Sequence, residues 1–252
     1  PQDKYAEHSK LGTLIHGALE DFFSKTLRED LVKQPFDTLY ARLLTCVHDQ
    51  LESEHVIDAP SWDAKKDWYQ DRVPGFEGIF RQFLEQEIAF AKEGWTTPEE
   101  MTEYKLANPD PVEIKLGEKT MKIQGSIDRI MTNGESFRIV DYKTGKSFKN
   151  DLKKGRLVQI PVYTEAYRVK NGGVPDPGYY FKLTRDECKP VPLPLKDGED
   201  YRNVYYRVLE LVFATRDRMR AGDCSRAEKC EDKYCPYKAM CRASNIAEGD
   251  DE

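Results

Sequence analysis

Residues 125 to 146 read GSIDRIMTNGESFRIVDYKTGK, two short apolar stretches on either side of an Asn133-Gly134 step. Short stretches of that kind, rich in Ile, Val and aromatic residues and bounded by turn residues, mark strands, and an Asn-Gly step between two of them is a strong local signal for a tight hairpin turn. Strands are expected over 121 to 131 and 137 to 142, and a third over 112 to 116 (VEIKL) makes a meander or hairpin array. Asp128 then sits near the middle of one strand and Asp141 near the end of the next, so pairing brings two carboxylates together. Repulsion and desolvation make such a pair costly unless a cation neutralises it, and hard Mg²⁺ or Mn²⁺ takes oxygen ligands of this kind. Lys143, two residues beyond Asp141, points to the same side of an extended strand. Two acids and an amine around a divalent ion suit phosphodiester hydrolysis, the ion polarising a phosphoryl oxygen and the ammonium orienting a nucleophile or stabilising developing charge. Singly, each feature has a plainer explanation: Asp128 in a surface salt bridge with Arg129, and Asp141 to Lys143 as a strand end entering a turn.

Upstream, the first hundred residues read as helical. LGTLIHGALEDFF places Leu11, Ile15, Ala18, Leu19 and Phe22 at helical spacing, with His16 and Glu20 on another face, and GIFRQFLEQEIAFAKEGW carries a stripe of Phe80, Phe83, Leu84, Ile88 and Ala91. Downstream, LVQIPVYTEAYRVK returns to helix, Pro161 being tolerated in a first turn, and Gly172-Gly173 stops it. A strand (GYYFKLT) and a helix (DYRNVYYRVLELVFATRDRMR) follow. The expectation is an α/β fold: a mixed sheet of four or five strands flanked by helices, with the active site on the sheet edge. It divides into a helical region carrying the histidine (1–105), the core (106–220), a Cys-rich segment (221–243) and an acidic tail (244–252) expected to be disordered.

The strings GTLIHGALE, GSIDRI, DYKTGK and QIPVYTEAY, in this order and at these separations, resemble the RecB-type nuclease family of the PD-(D/E)XK superfamily. That family includes AddB-like helicase-nuclease subunits, CRISPR-adaptation nucleases and viral or organellar exonucleases. The resemblance runs from Leu11 to Cys241 and implies a restriction-endonuclease-like core. It implies that His16, Asp128 and Asp141 bind the divalent metal, with the Tyr142 carbonyl as a further ligand, and that Lys143 is the catalytic lysine. Gln159 and Tyr163 match the family's QxxxY motif, implied to position the lysine or the DNA strand; capping or core packing is the plainer role for both. His16 on its own would be read as a core histidine. Glu20 and Glu103 are lesser acidic candidates. Ile130-Met131 follows Asp128-Arg129 where another acid often stands in the family.

The implied substrate is DNA, single-stranded or at a free end, and the implied activity that of an exonuclease in repair, recombination or processing, with a helicase or other nuclease-complex subunit as possible partner. Tyr163 and Tyr167 would stack on bases, and the run of Lys143, Lys146, Lys149, Lys153, Lys154 and Arg156, against Asp151 alone, would meet phosphates. The alternative is a catalytically silent DNA-binding module of a larger helicase-nuclease complex; Asp128, Asp141 and Lys143, whose loss would mark it, are all present.

Composition frames this reading. The chain has 252 residues, 39% hydrophobic and 33% charged, with a net charge of −6, so phosphate binding rests on the local basic run rather than on the global balance. No apolar run approaches a membrane span and PQDKYAEHSK lacks a signal peptide's apolar core, so an intracellular protein is expected; a start without Met suggests processing or excision from a longer chain. Four of six cysteines, Cys224, Cys230, Cys235 and Cys241, fall within eighteen residues, which in an intracellular chain reads as a metal site. Some members of the family carry a [4Fe–4S] cluster; the Cys235 to Cys241 spacing fits it, but Cys230 precedes Cys235 by four intervening residues rather than two. Thiolates bind zinc as well, and free thiols are the third option. Cys46 and Cys188 read as ordinary buried or strand cysteines, Cys46 remaining a weak candidate for a distant ligand. An iron–sulfur redox protein would need cofactor motifs beyond the cysteines, and none appears.

Overall fold

The computed structural model describes residues 2–54, 60–63, 65–73, 76–144, 158–185, 187–193 and 199–223. The basic run from Lys146 to Arg156, the cysteines at 224, 230, 235 and 241 and the acidic tail lie outside the described residues. The helices are α1 (Gln2–Ser24), α2 (Arg28–Lys33), α3 (Phe36–Ser53), α4 (Pro60–Asp63), α5 (Lys66–Tyr69), α6 (Ile79–Lys92), α7 (Gln159–Asn171) and α8 (Tyr201–Arg220). The strands are β1 (Thr102–Lys105), β2 (Val112–Leu116), β3 (Lys119–Ile123), β4 (Ser126–Asn133), β5 (Ser136–Lys143), β6 (Val174–Pro175), β7 (Tyr179–Thr184) and β8 (Glu187–Pro192). The chain divides into two units, 1–213 and 214–252. In the second, described to Asp223, Arg218 pairs with Asp223 at 2.7 Å.

The mixed α/β architecture expected from the sequence is present in the first unit. A six-stranded sheet runs β1-β4-β5-β7-β8, with β6 pairing β5, while β2 and β3 form a separate ribbon. β4 is antiparallel to both β1 and β5; β7 is parallel to β5 and antiparallel to β8. The pleat sends alternate residues of the central strands into two cores. Met131, Val140, Tyr142, Tyr179 and Phe181 join the apolar stripes of α1, α3 and α6 on one face. Ile130, Phe137, Ile139 and Tyr180 join α7 and the buried Val204, Tyr205, Leu209 and Phe213 on the other.

Three expectations are corrected. The strand foreseen over 121 to 131 is two strands in different sheets, broken at Gln124-Gly125, where Gly125 takes φ +150° and lets the chain leave the ribbon for the main sheet. The hairpin turn lies one residue later than the Asn-Gly step suggested: Asn133 pairs with Ser136, and Gly134 at φ +61° opens a two-residue loop whose twist suits the strands. The acids are carried by interior strands, not by a sheet edge, because β1 covers β4 on one side and β7 covers β5 on the other. β1, β6 and β8 had not been read from the sequence.

Candidate active site

The β4–β5 ladder ends at the Arg129–Val140 pair, and Asp128 and Asp141 stand one step beyond it. There the Tyr142 N–H donates to Asp128 Oδ2 at 2.8 Å, so a carboxylate binds the main chain of the neighbouring strand. Lys143 follows on β5, its Nζ 2.7 Å from Asp141 Oδ2 and donating to Gln159 Oε1 at 2.9 Å. Gln159 opens α7, and Tyr163, one turn on, brings its hydroxyl oxygen to 2.8 Å from the position a Cβ on Gly125 would occupy. A side chain at 125 would push that tyrosine away.

His16 comes from α1. A Cβ on Gly12, one turn earlier, would lie 3.3 Å from Thr144 Oγ1, so glycine lets the helix approach the end of β5 closely. His16 Nδ1 is 3.5 Å from Asp128 Oδ2 and 4.0 Å from Glu103 Oε1, and its ring meets the edge of Tyr142 at 5.5 Å between centroids. Ligand atoms of His16, Glu103 and Asp128 all lie within 4.8 Å of one another, a spacing that can hold a metal ion. Asp141 stands beside this trio with its carboxylate turned to Lys143, in electrostatic reach of His16 and Asp128. Glu103 thus has a place at the centre that sequence reasoning left at its margin. It sits on the short strand β1 at φ +44°, a left-handed conformation costly for a residue with a Cβ, and its Oε2 accepts from Ser126 Oγ at 2.9 Å. Glu20, exposed one turn beyond His16, has its carboxyl pKa raised by partial burial and then by Glu103, and stands outside the trio.

Burial governs the electrostatics. It pushes the Asp128 and Asp141 carboxyls up to about 6; Glu103 adds to the rise at Asp128 and the Asp128 charge to the rise at Asp141, while the Tyr142 N–H and Lys143 oppose them. The His16 imidazole is pushed down by burial, which keeps the ring neutral near pH 7, as a ligand nitrogen requires. Glu103 and Asp141 oppose that shift, and the Tyr142 backbone does so more weakly. The Tyr163 phenol is raised by burial and then by both aspartates, so it remains a hydroxyl donor. One imidazole nitrogen and several carboxylate oxygens, with buried acids that disfavour each other's charge, fit a small divalent cation such as Mg²⁺ or Mn²⁺.

Arg129 does not form the surface salt bridge with Asp128 that the plainer reading offered. It points to the opposite face, fully buried, and pairs with Glu87 of α6 at 2.9 Å. Tyr167 is buried against Phe137, with centroids 4.6 Å apart, away from the acids. A hollow of about 600 Å³ lies at the turn end of the hairpin, lined by Gly134, Phe137, Tyr167 and Gly173 among others, and contains none of the candidate ligands. Cys46 is buried in α3 and Cys188 lies on β8, its thiol pushed up by burial to about 12; both are free. Among the described residues no helix is long and apolar enough to cross a membrane.

A search of curated proteins finds no match to the chain. A family model, by contrast, spans nearly all of it, including every described residue named above: by the match over residues 1–242, the chain belongs to the PD-(D/E)XK nuclease superfamily.

Proposed function

We propose that this protein is a divalent-metal-dependent DNA nuclease of the RecB-like branch, acting as an exonuclease on single strands or free ends in DNA repair, recombination or processing inside the cell. The observation that carries this reading is the convergence of His16, Glu103 and Asp128 with the Asp141–Lys143 pair at the end of the β4–β5 ladder. His16, Asp128, Asp141 and the Tyr142 carbonyl would hold the ion, with Glu103 as an added oxygen donor. A divalent cation bound there supplies Lewis-acid polarisation of the scissile phosphate. Lys143, held between Asp141 and Gln159, presents an ammonium to the attacking water or to charge developing on the phosphate. Gln159 fixes the direction of that amine, and the Tyr163 hydroxyl, kept protonated, offers a donor to the strand. Cys224, Cys230, Cys235 and Cys241 would tie down the C-terminal segment through a [4Fe–4S] cluster or zinc, which iron and zinc analysis of purified protein distinguishes. A helicase subunit is the proposed partner.

End-labelled single- and double-stranded DNA incubated with Mg²⁺ or Mn²⁺ tests the activity. The parent is expected to release labelled products in the presence of either ion, and Lys143→Ala and Asp128→Ala to release them at least about a hundredfold more slowly. Cleavage by both variants at the parent's rate overturns the site. A parent that cuts nothing with either ion favours a silent DNA-binding module.

A further inference from the structure

Arg129 and Glu87 take no part in the chemistry above, yet their arrangement is specific. The guanidinium is wholly enclosed, its Nη2 donating to Glu87 Oε1 at 2.9 Å, and its carbon lies 4.4 Å from the centre of the Phe23 ring and 5.7 Å from that of Tyr142. Glu87 anchors the guanidinium from α6, and the other groups around Arg129 belong to elements that carry a candidate ligand. Arg129 is the chain neighbour of Asp128, and Thr102, the neighbour of Glu103, is its partner in the β1–β4 ladder. Phe23 stands two turns after His16 on α1. Tyr142 places its ring against the guanidinium while its own N–H binds Asp128.

A buried ion pair is a weak source of stability, since apolar side chains of similar volume often fill the same space equally well. An apolar pair has no preferred direction, however, whereas a planar guanidinium held by one carboxylate and faced by two rings fixes the relative placement of everything it touches. We infer that Arg129, held by Glu87, is a positioning residue that sets the spacing of His16, Glu103 and Asp128 from within the core shared by α1, α6 and the sheet. The inference rests on the proposed metal site and extends it to residues that touch neither ion nor substrate.

The test is Mn²⁺ affinity, by titration calorimetry, of the full chain and of the double variant Glu87→Leu/Arg129→Met, with the metal-free melting temperature of each. The double variant is expected to melt close to the parent while its Mn²⁺ affinity falls about 10- to 100-fold, the range seen when groups that orient ligands are removed. Parent-like affinity in a folded double variant overturns the inference and leaves the metal site standing. A parent that binds no Mn²⁺ overturns both. Should the double variant not fold, Arg129→Lys, which keeps the charge beside Glu87 but not the stacked plane, takes its place: weakened binding at an unchanged melting temperature supports the inference, and parent-like binding overturns it.

Discussion

Asp128 and Arg129 are adjacent in the chain, and the pleat of β4 sends them into opposite worlds. Arg129 meets Glu87 in a sealed pocket, where one cation and one anion offset each other. Asp128 meets Glu103, Asp141 and a neutral His16, with Lys143 as the nearby cation, and burial pushes its carboxyl up to about 6. The rear pair is balanced in charge within the protein; the front cluster holds more negative charge than its own groups neutralise. Folding alone gives no reason for that imbalance, and an added cation does.

The sharpest way to break the comparison is at the front. Lys143→Ala or Asp141→Asn is expected to lower the DNA cleavage rate by about 10²- to 10⁴-fold, measured with labelled strands at saturating Mg²⁺, while leaving the melting temperature near the parent's. At the rear the expected outcome is reversed. Arg129→Met alone leaves the Glu87 carboxylate buried without its partner and should cost about 3–5 kcal/mol, read as a fall in melting temperature on the order of 10 °C. A stable Arg129→Met protein would show the two sides to be less different than described.

A smaller effect comes from pH. The two aspartyl carboxyls are raised in the folded state from 3.8 to about 6, so folding favours their protonated forms. Their contribution to stability is full below the unfolded value and is lost as pH rises through about 6. The metal-free protein should therefore lose stability from these groups between roughly pH 4 and pH 7, and Mg²⁺ should restore melting temperature chiefly at the upper end, as thermal melts in chelator and in Mg²⁺ would reveal. A metal-free melting temperature that climbs over this range would contradict the picture of a charge-overloaded front. The smallest change is expected at Gln159→Leu, where loss of one hydrogen bond to Lys143 should slow cleavage by no more than about tenfold in single-turnover assays.

Much of this geometry was legible in the residues. The short apolar stretches GSIDRIM and FRIVDYK on either side of the Asn-Gly step pointed to β4 and β5, and the two-residue offset from Asp141 to Lys143 put both on one face. The placement of His16 beside Asp128 came only through resemblance, because nothing in GTLIHGALE says what its helix packs against. Glu103 was obscured for a physical reason: β1 has four residues, too few to show a period, and a positive φ at a glutamate is imposed by tertiary contacts rather than by local preference. The rear pair had a sequence signal that went unused. Glu87 falls on the apolar stripe of α6 between Leu84 and Ala91, and Arg129 lies two residues from both Ile127 and Met131 on a central strand; charges in such places are buried together or not at all.

Under the proposed function, the hydrogen bond from the Tyr142 N–H to the Asp128 carboxylate would tie hydrolytic competence to strand register. A slip of one residue along β5 would offer Tyr142 where Asp141 belongs and turn Lys143 into the opposite core, because every side chain on a strand changes face at once. A half-folded or misaligned chain would then be harmless to the nucleic acid around it. Newly synthesised copies would become dangerous only once the sheet has closed in its one correct alignment, which would make the fold itself the safety catch on the blade it carries.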